Sequence, residues 1–539
     1  AIDSVHVATT DNFTVRELRV PGGTPVLVDS VLGYRIYEMA EPVAPGARLA
    51  MTYHLEVRNP GFTNGTGNTD VVRNGTFINS FAYFPRIGYS RAGELTDPNE
   101  RRKRDLPPVQ RMPAIDDSAN LRRTYISGEG DWVGFATVVS TSEGQIALAP
   151  GYLEEEWVED GRRYFHYAMD APTLPFWSYL SADWAVEKDW WNDVEIAVYY
   201  HPDHPYNVDR MNEASKKSLE YFTREFGPYQ HRQLRIVEFP RYATFAQSFP
   251  NTIPYSESIG FIARLSDEED IDYVFYVTAH EIAHQWWAHQ VIGANVQGGT
   301  VLSETMAQYS ALMVMEEEYG REQMRRFLRY ELDMYLVGRG GERIEEQPLY
   351  LVENQGYIHY RKGSLAMYAL RDYVGEDALN ARIREYVDDV KFQQPPYTTS
   401  VELLEYLEPA IPPGYPNLLD DLFRTITLWD MRAEKAEAET TEDGRWRVTF
   451  TVEASKLRAN GQGEETAVAM DDWVDIAVFG SEAEGSPPEG EILYLEKHRI
   501  TGGEQTIELM VDAEPTGAGI DPFNKLIDRI PDDNVTRVN

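Results

Sequence analysis

The pattern of apolar and polar positions changes twice along this chain. Up to about residue 204, stretches such as "ARLAMTYHLEVRNP" and "VEIAVYYHP" alternate or run apolar between Gly, Pro, Asn and Asp, which predicts β-strands. The aromatic-rich "NSFAYFPRIGYS" and "TLPFWSYLSADWAVE" read as buried strands and their connections. From about 205 the period becomes helical. "MNEASKKSLEYFTREFG" is amphipathic and closed by Gly227, and "RQLRIVEFP" is a short β-like interruption. "SDEEDIDYVFYVTAHEIAHQWWAHQ" opens on Ser266 and Glu269, spaced as a capping box. Helical runs continue in "ETMAQYSALMVMEEEYG", "EQMRRFLRYELDMYLVG", "YRKGSLAMYALRDYVG", "DALNARIREYVDDV" and "NLLDDLFRTITLWD". After residue 431 strands return in "RWRVTFTVEASKL", "DWVDIAVFG" and "QTIELMVDA". The expected organisation is an antiparallel β domain at 1–204, a mainly helical domain at 205–430 and a smaller β-sandwich at 431–539.

Composition narrows the function classes. With 539 residues, 42% hydrophobic and 12% aromatic, the chain can fill several cores, and wholesale disorder is excluded. No run of 18 or more uncharged apolar residues predicts a membrane span, and no signal-peptide pattern opens the chain. The start at Ala1 rather than Met points to processing or to a piece of something longer. A formal net charge of −38 makes nucleic acid and anionic membrane surfaces poor partners. One basic island, "RRKR" at 101–104, reads as a solvated loop. The absence of cysteine leaves His and carboxylates as the only strong ligands for a transition metal.

Such ligands are concentrated in "AHEIAHQWWAHQ". Residues four apart share a helix face, so His280 and His284 can present their imidazoles to one ion. Glu281 lies about 100° round the helix, beside such an ion rather than on it, where a carboxylate can take a proton from an activated water. A catalytic zinc needs a third protein ligand. "LSETMAQY" supplies Glu304, just after Ser303, a candidate N-cap, in the first turn of the next helix. A short Gly-rich turn, "GANVQGG", would fold that helix back on the histidines. His289 falls off the ligand face, and Trp286 and Trp287 read as core.

With "HEIAHQWW" and "LSETMAQY" the chain resembles the gluzincin zinc aminopeptidases, the family of membrane alanyl aminopeptidase and leukotriene A4 hydrolase. The resemblance implies a multidomain α+β fold. An antiparallel β saddle comes first, then a thermolysin-like catalytic domain, then a β-sandwich. It implies one Zn2+ per chain on His280, His284 and Glu304, with Glu281 as general base. "HYRKGSLAMYAL" matches a further family segment and makes Tyr360 the donor to the oxyanion. The implied activity is hydrolysis of a peptide substrate, aminopeptidase-like. The alternative is a zinc-bearing peptide-binding or sensing domain of a transporter.

Three departures stand out. The gap from His284 to Glu304 is one residue longer than in aminopeptidases of that family, and the extra residue is expected in the Gly-rich turn. The family's glutamate that grips the peptide's amino group aligns with Ser248 in "FAQSFPNTIPYSE", with Glu257 nearby as a candidate replacement. The large C-terminal helical domain of many relatives has no counterpart in the sequence. The wording of the motifs and of "AGIDPFNKLIDRIPDDN" is most similar to the soluble peptidase part of bacterial proteins fused to an ABC-type permease. That implies a membrane-tethered bacterial protein.

Overall fold

The alternating runs before His201 form antiparallel ladders. The computed structural model describes residues 1–59, 70–88, 94–127, 130–265, 271–481 and 489–539. It divides into two compact units. One holds residues 1–111, 126–212 and 231–264, and the other 112–125, 213–230 and 265–539. The described chain follows the expected order of a β-rich N-terminal part, a helical middle and a C-terminal β part.

In the first unit, Gly23–Asp29, Tyr34–Val43, Ile2–Ala8 and Arg86–Ile87 make one four-stranded sheet around Val5, Val7, Val20 and Tyr37. Two three-stranded sheets and a two-stranded ribbon follow. A further four-stranded sheet is mixed. Ala185–Trp191 runs antiparallel to Val194–Tyr200, which is parallel to Gln233–Phe239, itself parallel to Thr252–Ser256. Tyr199 stands opposite Val237 and Glu238 opposite Tyr255, so the carboxyl ends of three adjacent strands emerge together. Residues 246–249 fold back antiparallel along the last strand, and Ser248 among them is buried.

The basic island differs from the expected loop. Asp97 accepts from the Glu100 amide at 2.8 Å and caps a short helix, Pro98–Arg102. Arg101 is buried, donating to the carbonyls of Leu95 (2.6 Å) and Pro107 (2.7 Å). Carbonyl groups that would otherwise lack donors explain why this one cation turns inward.

In the second unit, helices Tyr273–Ala283, Met306–Tyr319, Met324–Gly340, Gly363–Val374, Glu376–Val390 and Ser400–Leu407 surround a common core. Met306–Tyr319 is its centre. Every residue from Met306 to Met315 is buried, polar ones included. Gly375, at φ 93°, stops Gly363–Val374 in the left-handed region expected of a helix-terminal glycine. The run expected to stay helical to Asp430 becomes a strand, Ile426–Thr440, after one turn at Asp420–Arg424. The β-branched and aromatic "ITLW" favours the sheet, where Ile426 to Trp429 are all buried. That strand pairs with Trp446–Ala459, which also pairs with Gly503–Val511. A second antiparallel sheet contains Asp471–Phe479 and Ile492–Thr501, and the C-terminal segment bridges back to the first sheet at Trp429–Asp528 and Ala436–Val538. No helix among the described residues is long and apolar enough to cross a membrane.

Candidate metal centre

All the residues of the predicted centre lie in the second unit. The helix Tyr273–Ala283 carries His280 and Glu281 and ends at His284, six residues before the helical pattern in the sequence does. It is capped by Asp272, which accepts from the Phe275 amide at 3.0 Å; the expected pair Ser266 and Glu269 lies outside the described residues. Tyr319 donates to the other Asp272 oxygen at 2.8 Å, which fastens the start of this helix to the end of Met306–Tyr319.

Glu304 does not follow a serine cap. It sits in a π-helical turn, Val301–Thr305, that leads directly into Met306–Tyr319, and Ser303 is one of that turn's buried residues. Tyr360 occupies a second π-helical turn, Tyr357–Lys362, at the head of Gly363–Val374. The two turns are fastened to each other, Thr305 Oγ1 donating to the His359 carbonyl at 2.6 Å. Gly363 permits this approach, since a Cβ there would stand 2.4 Å from Thr305 Oγ1. Widened turns of this kind recur where helices present functional groups.

The three predicted ligands converge. His280 Nε2 and His284 Nε2 are 3.1 Å apart, and Glu304 Oε2 lies 3.5 Å from the first and 3.3 Å from the second. Atoms about 2.0–2.1 Å from one tetrahedral zinc would be spaced about 3.3 Å from one another, so the donor set fits that ion. His284 Nδ1 lies 3.1 Å from the Trp287 carbonyl, a partner that only a ring N–H can satisfy. That leaves Nε2 with the lone pair. Trp287 is itself fixed by its indole N–H on Ser310 Oγ at 2.9 Å, and Trp286 by its own on the Gly227 carbonyl at 2.9 Å. Both indoles are buried as expected, and they also set the orientation of a ligand. His289 is buried, and its amide closes a turn onto the His284 carbonyl at 3.2 Å.

The buried groups also shift one another's ionisation. Burial alone would depress His284, but the Glu304 carboxylate lifts it to about 9. Burial likewise opposes ionisation of Glu304, yet the two imidazoles hold it well below the usual carboxylate range. Without a metal, His284 and Glu304 pair as imidazolium and carboxylate; a divalent ion would displace that proton and take the Nε2 lone pair. Burial pushes the Glu281 carboxyl up to about 7, with His284 opposing and Glu304 reinforcing. Burial and the Glu304 charge raise Tyr360, so its phenol keeps its proton and donates to Glu304.

Several positioning residues carry no sequence motif. Arg361, next to Tyr360, donates to both Glu331 oxygens at 3.1 Å, and Glu331 is fully buried. Tyr276, from the histidine helix, donates to Glu331 at 2.9 Å, and Gln308 reaches both at 2.8 and 3.1 Å. This network ties the tyrosine turn, the histidine helix and the glutamate helix together. Tyr125 feels the Glu304 charge and lies 3.4 Å from Asn354 Oδ1. Charged residues inside an apolar helical run, as at Arg361 and Glu331, were the available signal. Glu257, the nearby candidate for the amino-gripping role, lies at the end of the strand Thr252–Ser256. Its Oε1 accepts from the Arg241 amide at 3.1 Å and its Oε2 faces His204 at 3.9 Å.

Known proteins resemble this chain in sequence and in fold. Residues 210–414 match the peptidase family M1 domain. Endoplasmic reticulum aminopeptidase 2 of Homo sapiens is 25% identical over 208 residues, 37% of this chain and 22% of that one. Among solved structures, Legionella pneumophila aminopeptidase A in complex with aspartic acid superposes with a TM-score of 0.58 at 14% identity, covering 97% of this chain and 55% of its own. An M1 zinc metallopeptidase from Deinococcus radiodurans gives 0.52 at 15% identity, covering 78% and 86%. The chain thus spans under a quarter of the human relative and about half of the Legionella protein. The fold is that of M1 aminopeptidases, and the segment that matches the M1 domain, residues 210–414, contains all the residues of the predicted centre.

Proposed function

We propose that this chain is a zinc-dependent metallopeptidase that hydrolyses peptide bonds in an aminopeptidase-like manner. The observation that carries the reading is the convergence of His280, His284 and Glu304 within 3.5 Å, with the buried Glu281 carboxyl beside them. A zinc ion on those three ligands supplies Lewis-acid polarisation of the scissile carbonyl and a water acidic enough to attack near neutral pH. Glu281, poised at about 7, takes the proton of the attacking water and passes it to the leaving amine. Tyr360 remains a phenol and donates to the carbonyl oxygen as negative charge develops there. Buried Ser248 supplies no anion for a free amino terminus, so the family's selection of that end is expected to be weaker here.

Elemental analysis of the purified chain is expected to give one zinc at this centre. Alanyl and leucyl reporter amides should be hydrolysed, and a chelator should abolish that turnover reversibly. Amino-blocked peptides, run alongside, should be cut less poorly than an enzyme with a dedicated amino-gripping glutamate would cut them. Zinc without hydrolysis of any peptide would instead favour a binding domain.

Replacing Tyr360 with Phe tests the donor. The ring and its packing on His280, with centroids 5.8 Å apart, are kept while the hydroxyl is lost. Turnover should fall by about 10²–10³-fold, with zinc content unchanged.

A further inference from the structure

A second cluster of metal-ligand type lies in the first unit, where no motif led to it. The segment "HPDHP" follows the strand Val194–Tyr200 and carries His204. Glu238 sits near the end of Gln233–Phe239, and Glu257 follows Thr252–Ser256. These three strands are adjacent and parallel, so their carboxyl ends deliver one imidazole and two carboxylates to a single place. The carboxyl edge of parallel strands is where open α/β sheets commonly place ligands.

Each carboxylate is divided between two tasks. Glu238 Oε2 accepts from the His201 amide at 2.5 Å, and Glu257 Oε1 from the Arg241 amide at 3.1 Å. The second oxygens turn towards the imidazole. Glu238 Oε1 shares a hydrogen bond with His204 Nδ1 at 2.5 Å, whose proton a metal ion would replace while parting the two atoms to about 3.3 Å. Glu257 Oε2 lies 3.9 Å from the same nitrogen. These three atoms all lie within 4.8 Å of one another. The Glu238 side chain is only 4% exposed, whereas that of His204 is 23% exposed, which gives an ion a path from solvent. Competing charge is slight. The Arg241 guanidinium is 71% exposed and 3.7 Å from Glu257 Oε1, the oxygen already held by the backbone. Asp203, 86% exposed, adds negative charge at the rim, and the His201 ring lies 4.9 Å from that of His204.

We propose that His204, Glu238 and Glu257 form a second site for a divalent transition-metal ion, separate from the His280, His284 and Glu304 centre. One imidazole nitrogen and two carboxylate oxygens with preset backbone partners suit Zn2+ or Mn2+. Bound there, the ion clamps the 201–207 loop to the ends of two strands.

The test is a Zn2+ titration of the full chain after chelator treatment, read by equilibrium dialysis with elemental analysis. Wild type should bind two equivalents, and His204→Gln and Glu257→Gln one each, with reporter-amide hydrolysis retained in His204→Gln. Both changes fall on partly exposed side chains, so either variant can serve if the other folds poorly. His284→Ala should also bind one equivalent, and His204→Gln combined with His284→Ala none. If wild type binds only what His284→Ala abolishes, or if the extra equivalent survives in both first-unit variants, the second site does not exist.

Discussion

Replacing Glu281 with Gln is expected to remove nearly all hydrolysis while leaving the metal in place. The amide has the carboxylate's shape and fills the same buried volume, but it cannot accept the proton of the attacking water. Loss of a positioned general base costs about 10²–10⁴ in rate, and in the proposed mechanism Glu281 also returns the proton to the leaving amine. Glu281 is not among the proposed metal ligands His280, His284 and Glu304, so zinc content should equal that of wild type. Because burial already pushes the Glu281 carboxyl to about 7, a neutral side chain there should not lower the melting temperature. The decisive measurement is zinc stoichiometry and reporter-amide turnover on one sample. Full zinc with wild-type turnover would assign the proton transfer to another group.

The second large effect is on stability. Asp372, on the helix Gly363–Val374, has a side chain only 1% exposed and accepts from Lys525 at 2.8 Å and Lys497 at 2.5 Å. Asp475, on the strand Asp471–Phe479, shares both lysines at 2.5 and 2.9 Å. Arg321 also contacts Asp372 from the protein surface. The quartet is close to neutral only as a set. Asp372→Asn leaves two lysines with one carboxylate in a largely buried site, and breaking a buried pair of this kind costs about 3–5 kcal/mol. Urea or thermal unfolding of the variant against wild type measures this directly.

The same pairing sets an acid limb. Burial opposes ionisation of Asp372, but Lys525 and Lys497 hold it well below the usual carboxylate range. Its contribution is therefore complete above the unfolded-state value of about 3.9 and is lost as pH falls below it. The variant should show a flatter loss of stability in acid. An unchanged unfolding midpoint and an unchanged acid limb would mean that the quartet contributes only specificity.

What the sequence made legible was whatever repeats at short range. The spacing of His280, Glu281 and His284 is a helical period, and Glu304 follows from a turn and a return helix, so the centre could be drawn before any coordinates. The β, α, β order emerged from changes of period in the same way. The end of the histidine helix at His284 was not visible, because Gln285–His289 still has helical spacing; Trp286 and Trp287 instead anchor to Gly227 and Ser310 from outside the helix. Nor was the strand at Ile426, which lies in a run that also reads as helix. Partners distant in sequence were beyond reach altogether. Glu331 and Arg361 are thirty residues apart, and Asp372 meets Lys525 across 153. Local periodicity carries no information about such pairs, and the His204, Glu238 and Glu257 cluster belongs to the same class.

The π-helical turns bear on how such a centre tolerates changes of chain length. Nineteen residues separate His284 from Glu304. An extra residue inside an α-helix rotates everything beyond it by about 100°, which would swing Glu304 or the buried row of Met306, Tyr309 and Met313 out of place. A π-helical turn instead absorbs the residue as a local widening. Val301–Thr305 is such a widening, placed between the Gly-rich turn and the core helix. Tyr357–Lys362 repeats the device before Gly363–Val374. Single-residue insertions and deletions accumulating in evolution can be taken up at these two points without repacking the interior, whereas the rigid histidine helix has no such slack.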